Sequence, residues 1–574
     1  MKLYTTVRWV FLWSVLTSTA VLAQGNNKVS FFGGARAFFA QNNISGDAVG
    51  GDTTNASKAN YGHTLIDLGI NVKPNASNHV CAILRARNEF GGFYGNGATV
   101  KIRQLYAKGT IGNVLGYKVG DLDLKQSRFT LWNSKEENNL NESAVFSRLR
   151  EVVYYENFYS KENTWRMQGG QLDFGFASGN EKNTFRLESF AVRNRIASNF
   201  IIPEELVTGA SFQFERNKLL NLGLNYVNTF TIKNTSTSQT AYHNPVITGQ
   251  LGITVVNKDN FSTSLKSEFG YSELSYTNES LGPAVRSGHV MEAGLYNTLK
   301  NSGVYVHIVF RKVSSDFFSA GAQTKRLNFN KASVLFPLLG NNSVSRSVGA
   351  WDYAIDPTLY NRGISSTLMT YNPVYGNTFA YGDATPNRQG LIISAGKLVD
   401  TSVIGFSLTN AYLSDIVGQG SLEQKNYLYL NAALDFNLGK LMGTKKKLLI
   451  KTGMQWDNAS RGGDSIETMD FKSIQIDGGI EYEFANKFDL IYGLKTIQAS
   501  GREYLVQRNE FNEIENYQRT DIDLSNIIHA AGVSYRFNNS MHLSFMTHQS
   551  KVKDKQNNLQ YSLSRYFILY NLLF

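Results

Sequence analysis

The chain has little cysteine, little proline and no long hydrophobic run beyond its amino terminus. Its 574 residues include one cysteine, Cys81, and eight prolines. A single cysteine excludes a disulfide scaffold, and no cysteine stands at the predicted cleavage site to carry a lipid. After Gln24 there is no uncharged apolar run of the ~20 residues that a membrane-spanning helix needs. A bundle of such helices is therefore excluded.

The amino terminus has the three parts of a secretory signal peptide. Lys2 and Arg8 precede a short apolar stretch at residues 9–16, and the compact residues Val21 and Ala23 come just before Gln24. An amino-terminal membrane helix is the alternative, but the apolar stretch is short for one. We expect residues 1–23 to be cleaved and residues 24–574 to be exported through the inner membrane.

Aromatic residues are abundant and the formal charge is basic. The chain has 30 tyrosines and 36 phenylalanines, and its formal net charge is +11. Strands of a membrane barrel need only one apolar face, so modest hydropathy with many aromatic residues fits a barrel. The basic balance is a mild bias toward anionic partners and gives no reason to expect nucleic acid.

Apolar and polar residues alternate over segments of about ten residues, the pattern of a membrane-spanning strand. Residues 428–438, 448–457, 474–484 and 66–72 all show it. Side chains of a strand repeat with a period of two, so one face of each segment is apolar and the other polar. Lipid can contact the first face and water the second.

Short and long connections alternate between these segments. The short ones are predicted at residues 74–78, 110–113, 177–182, 216–220, 257–260, 300–301, 399–401, 485–487 and 538–540, and the long ones at 41–61, 122–163, 232–244, 313–387 and 500–520. Short periplasmic turns and long outer loops produce this parity, whereas a soluble β-sandwich, the alternative, has no reason for it. The prediction is an all-β, antiparallel, up-and-down transmembrane β-barrel of about 22 strands, within a range of roughly 18–24.

The predicted strands leave little room for other domains. The first is predicted at residues 29–40 and the last at residues 558–574, with all eight prolines in connections or at strand edges. The first strand begins soon after Gln24, so we expect no amino-terminal plug domain of the kind found in TonB-dependent transporters. The long connection 313–387 is too apolar for disorder, and 122–163 is a second candidate because it is rich in aromatic residues. We expect them to fold inward or cap the pore, and an outward docking surface is the alternative.

The last strand ends on an aromatic residue. Tyr566, Ile568, Tyr570, Leu572 and Phe574 stand at every second position. They therefore share one face, which we expect to contact lipid. The ending resembles the terminal signal of Gram-negative outer-membrane β-barrels, and the resemblance implies recognition by the barrel-assembly machinery.

Charged residues supply the candidate site. Apolar residues of the strand 79–89 are predicted to face outward, which turns the charged residues between them inward. The pore-lining candidates are Arg85, Arg87, Glu89, Lys101, Arg103, Arg186 and Glu188, and the strand of Arg186 also offers Arg193 and Arg195. Basic residues around a water-filled pore can select anions or hold phosphates and carboxylates. The alternative is an ordinary charged wall whose acidic residues neutralise these cations.

Function is predicted from this architecture. The Asn-, Lys- and Tyr-rich mature chain resembles uncharacterised porin-like barrels of Bacteroidota, a resemblance that implies an outer-membrane location and supplies no functional residues. We expect a porin-like channel for diffusion or gated passage of small solutes, surrounded by outer-membrane lipid. The alternatives are a scaffold that partners a surface lipoprotein or secretion complex, and a barrel-embedded hydrolase. The chain lacks His-Glu-x-x-His and Gly-x-Ser-x-Gly motifs, so we expect no enzyme, catalytic residue, metal or cofactor.

Overall fold

The described residues form one closed antiparallel barrel. The computed structural model describes residues 28–47, 58–90, 98–112, 114–132, 143–146, 148, 167–179, 182–197, 203–232, 235, 241–278, 282–323, 377–379, 381–397, 403–418, 421–509, 514–538 and 540–574. They make a sheet of 22 strands in which each strand pairs with the next along the chain and β1 pairs with β22. The predicted fold class and strand number are confirmed.

The strands, in chain order, are β1 (Val29–Gly46), β2 (Lys58–Asn75), β3 (Asn78–Glu89), β4 (Ala98–Ile111), β5 (Leu115–Leu122), β6 (Met167–Ser178), β7 (Asn183–Arg195), β8 (Glu205–Arg216), β9 (Leu220–Thr231), β10 (Ala241–Asn257), β11 (Phe261–Asn278), β12 (Gly282–Leu299), β13 (Val304–Val313), β14 (Arg388–Lys397), β15 (Ile404–Ser414), β16 (Asn426–Asn437), β17 (Leu448–Arg461), β18 (Met469–Ala485), β19 (Phe488–Arg508), β20 (Ile514–Arg536), β21 (His542–Asp554) and β22 (Leu559–Leu573). A four-residue helix, α1 (Leu438–Leu441), joins β16 to β17, and two short 3-10 turns, Asn377–Phe379 and Gly382–Ala384, precede β14. Within the described residues, no helix has the length and apolar character needed to cross a membrane.

The outer face of the barrel is apolar and the inner face is polar. On β18, Ile476 and Ile480 are 47% and 43% exposed, while the alternate residues Gln475 and Asp477 are 1% and 3% exposed. Exposed isoleucine beside buried carboxylate is the reverse of a water-soluble sheet. Such a surface is stable when lipid covers the outside and polar groups meet one another inside.

Aromatic rings form a belt near the short turns. Ring contacts run from Phe484 to Phe488 (6.0 Å between centroids), to Tyr535 (4.7 Å), to Phe537 (4.8 Å) and to Tyr570 (6.3 Å). The first four flank the turns between β18 and β19 and between β20 and β21, and Tyr570 lies on β22 opposite Leu543, near the start of β21. Aromatic girdles of this kind mark the membrane–water interface of barrels.

Several strands are longer than predicted. β1 continues to Gly46 rather than ending at residue 40, and most of the predicted loop 500–520 is strand, because β19 and β20 remain paired up to Arg508 and Ile514. At this end of the barrel Arg519 and Asp521 pair with each other on an exposed surface. In residues 500–520 apolar and polar residues do not alternate, and Tyr504, Leu505 and Val506 follow one another, although the backbone ladder continues. Sequence periodicity therefore placed the strand ends too early.

The prediction that every proline avoids strand interiors is wrong for Pro245. It lies in β10 and pairs with Asn228 of β9, while the β10–β11 register passes from His243 directly to Val246. Proline has no backbone donor, so the ladder with β11 is interrupted there. The side chain of the preceding residue, Asn244, forms hydrogen bonds to the connection between β13 and β14.

Candidate functional site: the barrel lumen

The connection that follows β5 turns into the barrel. Leu122, Phe129 and Leu131 are at most 1% exposed and pack in one cluster with Val246 and Val290. Those two valines lie on the inner faces of β10 and β12, since the neighbouring Ile247 is exposed on the outside. Residues 122–132 therefore cover the inner wall of β7 to β13.

A second part of the same connection packs against the opposite wall. Val145 and Phe146 are buried with Phe38, Met546 and Phe567 of the inner wall. Ser143 Oγ donates a hydrogen bond to the carbonyl oxygen of Tyr492 at 3.2 Å. This hydrogen bond attaches residues 143–146 to β19.

Two glycines of the wall make room for it. A Cβ at Gly479 would stand 2.2 Å from Cβ of Ser143, and one at Gly493 would stand 2.8 Å from a methyl group of Val145. Real Cβ atoms do not approach other atoms so closely. The shapes of β18 and β19 are therefore matched to residues 143–146.

The connection between β13 and β14 also enters the lumen. Asn244 Nδ2 donates to the carbonyl oxygen of Phe318 at 3.1 Å, and Asn244 Oδ1 accepts from the amide of Ala320 at 3.0 Å. Gln323 Nε2 donates to the carbonyl oxygens of Phe317 and Ala384 at 2.9 and 3.0 Å, which joins the two ends of the connection. The part of the predicted long loop at residues 324–376 lies outside the described residues. Below, residues 122–132, 143–146, 314–323 and 381–387 are called the lumen segments.

Four charged residues fasten two lumen segments to the wall. Arg311 of β13 contacts Glu292 of β12 at 2.7 Å and Asp383 at 2.8 Å. Arg128 pairs with the same Glu292 and lies 3.5 Å from Asp383. Arg311 and Glu292 are each 6% exposed at the side chain. We call Arg128, Glu292, Arg311 and Asp383 the charge cluster.

The electrostatics of the charge cluster are balanced. Two guanidinium groups meet two carboxylates, so no net charge is buried. Burial alone lowers the pKa of Arg128, but the carboxylates of Asp383 and Glu292 outweigh burial and raise that pKa above its ordinary value. The pairs therefore hold residues 122–132 and 381–387 together as fixed, charged crosslinks.

Five of the predicted pore-lining residues form one group on the inner wall of β3 and β4. Arg85 makes two contacts of 2.8 Å with Asp67 of β2, and Arg103 pairs with the same carboxylate. Arg87 pairs with Glu89 and lies 3.4 Å from His63 Nδ1. Lys101 is exposed and stands opposite Arg85 in register.

The other two predicted residues lie apart on β7. Arg186 is 61% exposed at the side chain, 3.5 Å from Glu188 and 3.6 Å from Asp173 of β6. β5 and β6 separate them from the β3–β4 group. Arg193 does not belong to the inward set: it shares the outward parity of Leu187 and pairs with Glu204 at 2.6 Å. The bulge in the β7–β8 register comes after Arg193, so it does not change the face of the strand on which Arg193 lies.

The sequence analysis missed Asp67 and the charge cluster as parts of the site. The alternation of residues 66–72 puts Asp67 on the polar face of its strand and predicts no role for it. The members of the charge cluster come from distant positions, with Arg128 and Asp383 separated by 255 residues. The inward parity of Glu292 and Arg311 among apolar residues was the one signal that could have marked them.

The terminal residues close the barrel. Tyr566 and Ile568 of β22 are 39% and 44% exposed on its outer face. Phe574 donates its amide to the carbonyl of Gly33 at 3.0 Å and accepts from the amide of Gly33 at 2.8 Å. The last residue is thus hydrogen-bonded to the first strand.

Comparisons with known proteins give matches in structure only. No family model matches the chain, and a comparison with curated proteins finds no match. Among solved structures, the chain is similar to OpdQ of Pseudomonas aeruginosa with 10% identity, a TM-score of 0.35 and coverage of 95% of this chain and 98% of that chain. It is similar to a BenF-like porin from Pseudomonas fluorescens Pf-5 with 10% identity, a TM-score of 0.34 and coverage of 95% and 99%.

The ferric citrate transporter FecA in its unliganded form is also similar, with 11% identity, a TM-score of 0.49 and coverage of 95% of this chain and 78% of that chain. These neighbours are outer-membrane barrels. The barrel of this chain is established by its own strands and their pairing, and the activities of the neighbours are not transferred to it.

Proposed function

We propose that this protein is an outer-membrane channel through which small polar solutes diffuse, and that its own connections narrow the pore. The barrel has an apolar outer face, aromatic residues near its short turns and a charged inner wall. An apolar exterior places it in lipid, and charged inner walls are compatible with a water-filled path.

The observation that carries the proposal is the packing of the lumen segments against the inner wall. An empty barrel of about 22 strands would be wide. Here residues 143–146 pack against glycines of β18 and β19, while Asn244 and the charge cluster bind the other segments. Segments fixed to a wall reduce the width of a pore without requiring a separate domain.

The finer parts of the proposal concern export and surroundings. We propose that residues 1–23 are a cleaved signal peptide and that the barrel-assembly machinery recognises β22. We also propose that the protein is related to the porin-like barrels of Bacteroidota that it resembles. A barrel that served as a scaffold for a surface lipoprotein or secretion complex would have the same outer face but a closed lumen.

Conductance separates the channel from the scaffold. The purified chain, reconstituted in planar bilayers, is expected to give discrete current steps in KCl. Liposomes that contain it are expected to swell in small sugars and not in large oligosaccharides, since the lumen segments set a size limit. Absence of both current and swelling would reject the channel and favour the scaffold.

A further inference from the structure

A cavity of about 280 Å³ lies inside the barrel between residues 126–132 and the inner wall of β9 to β12. Its lining includes Arg128, Trp132, Gln250, Lys266, Glu268 and Tyr296. Asn221, which also lines it, is the second residue of β9 and follows a short turn. The cavity is therefore on the short-turn side of the lumen segment 122–132, beside the path that a solute would take.

Lys266 is a cation of this cavity that lacks a carboxylate partner within the described part of the chain. It is exposed, and its Nζ lies 4.8 Å from the centre of the Tyr296 ring. Its register partners on the two neighbouring strands are Gly252 and Gly294. At Gly252 an added Cβ would meet nothing closer than Asn221 at 3.4 Å, so the space on that side of the ammonium group is open to a ligand, whereas Val309 and the Tyr296 ring fill the space at Gly294.

Glu268 is an anion with spare hydrogen-bonding capacity. It is 7% exposed, and Gln250 Nε2 donates to its Oε2 at 3.0 Å. No residue among those described donates a hydrogen bond to its Oε1. Glu268 also stands directly opposite Glu292 in register, and like charges at such positions repel. A cationic group from a ligand would relieve both costs.

The remaining charges of the cavity are already balanced. Arg128 and Glu292 belong to the charge cluster, in which two guanidinium groups meet two carboxylates. One positive and one negative group, Lys266 and Glu268, are therefore left for a ligand. They stand two residues apart on one face of β11, about 6.6 Å along the strand.

We propose that this cavity binds a small zwitterion, a solute that carries both an ammonium group and a carboxylate, such as an amino acid or a short peptide. Its carboxylate pairs with Lys266 and its ammonium group with Glu268. The proposal deepens the channel function and relies on it for the route by which the solute arrives.

Ligands of other charge satisfy the cavity less well. A simple anion would pair with Lys266 but would be repelled by Glu268. A simple cation would pair with Glu268 but would be repelled by Lys266. A neutral sugar would form an ion pair with neither Lys266 nor Glu268. A ligand with two opposite charges pairs with both residues and so binds more tightly than any of these.

Four dipeptide probes of nearly equal size test the proposal. Alanyl-alanine is zwitterionic, N-acetyl-alanyl-alanine is an anion, alanyl-alanine amide is a cation, and N-acetyl-alanyl-alanine amide is neutral. Binding to the detergent-solubilised full chain is measured by titration calorimetry at neutral pH. We expect alanyl-alanine to bind at least about tenfold more tightly than each of the other three, because each lacks one charge pair or both. Equal affinities, or tighter binding of the N-acetyl anion, would overturn the proposal.

Variants locate the site. Lys266→Gln is expected to remove the advantage of alanyl-alanine over the cation probe, and Glu268→Gln its advantage over the anion probe. Lys553 is an exposed lysine on β21, and Lys553→Gln is the matched control, which is expected to leave all affinities unchanged. An unaltered preference in both cavity variants would overturn the assignment. The calorimetric result does not depend on current, so failure of the channel proposal and failure of this one are distinguishable.

Discussion

Asp67 controls the charge of the inner wall formed by β2 to β4. It is 4% exposed at the side chain and binds both Arg85 and Arg103. Glu89 is the partner of Arg87, and no ion pair of Lys101 is found within the described residues. Four basic residues thus meet two carboxylates, and we expect this surplus of positive charge to favour anions in the pore.

Replacing Asp67 with asparagine tests this assignment. Asp67→Asn keeps the size of the side chain but removes the carboxylate that Arg85 and Arg103 bind. The folded barrel is expected to lose about 2 kcal/mol of unfolding free energy, since hydrogen bonds to charged groups are lost. The reversal potential in a KCl gradient is expected to move toward anions.

The control for this change is Asp470→Asn, which alters a 52% exposed carboxylate paired with Lys472 on the outer surface. It is expected to leave the reversal potential unchanged. Equal reversal potentials in the wild type and Asp67→Asn would show that Asp67 does not face the ion path.

Ile568 and Phe574 have separate parts in assembly. Ile568 is on the lipid face, one pleat inside the aromatic belt at Tyr570, and a carboxylate there is expected to cost on the order of 1 kcal/mol. Deleting Phe574 removes the two backbone bonds to Gly33. Ile568→Asp and the deletion are both expected to reduce the amount of heat-modifiable barrel in the outer membrane.

Ser562→Asp provides the comparison, because Ser562 stands opposite Lys551 beyond the apolar band. It is expected to assemble normally. Normal levels of heat-modifiable barrel in Ile568→Asp and in the Phe574 deletion would contradict the assigned lipid face and closing strand.

At the scale of elements, local patterns predict strands well and packed connections poorly. The alternation across residues 474–484 was enough to predict most of β18, because lipid and lumen impose opposite polarity on its faces. The predicted ends of β19 and β20 were too early, since apolar and polar residues do not alternate in residues 500–520. The position of residues 143–146 could not be derived, because nothing in the sequence distinguishes Gly479 and Gly493 from the other glycines.

Two adjacent glycines of β18 test whether residues 143–146 lie in the pore. Gly479 faces Ser143, whereas a Cβ at Gly478 would meet nothing within 4 Å. Gly479→Val is expected to displace the segment, raise single-channel conductance and lower stability by about 1–3 kcal/mol through overpacking. Gly478→Val places its side chain in lipid and is expected to preserve conductance. Identical conductance in the two variants would exclude residues 143–146 from the ion path.

At the scale of the whole molecule, the barrel wall and its connections have different tasks. The wall carries the apolar exterior, the aromatic belt and the charged interior. The connections are held inside by Asn244, by glycine contacts and by the charge cluster. This division means that a connection can be removed while the barrel remains closed, because the strands pair with one another and not through the connections.

The conductance of a barrel without its longest connection tests the central claim most directly. Val313 and Arg388 are register partners on β13 and β14, so residues 315–386 can be replaced by a short glycine-containing turn without separating the strands. We expect the variant to assemble and to conduct several-fold more current than the full chain, because two lumen segments and Asp383 of the charge cluster are gone. Removal of residues 463–466, from the exposed connection between β17 and β18, is the control and is expected to leave the current unchanged. A well-assembled variant with the conductance of the full chain would contradict a pore narrowed by its own connections.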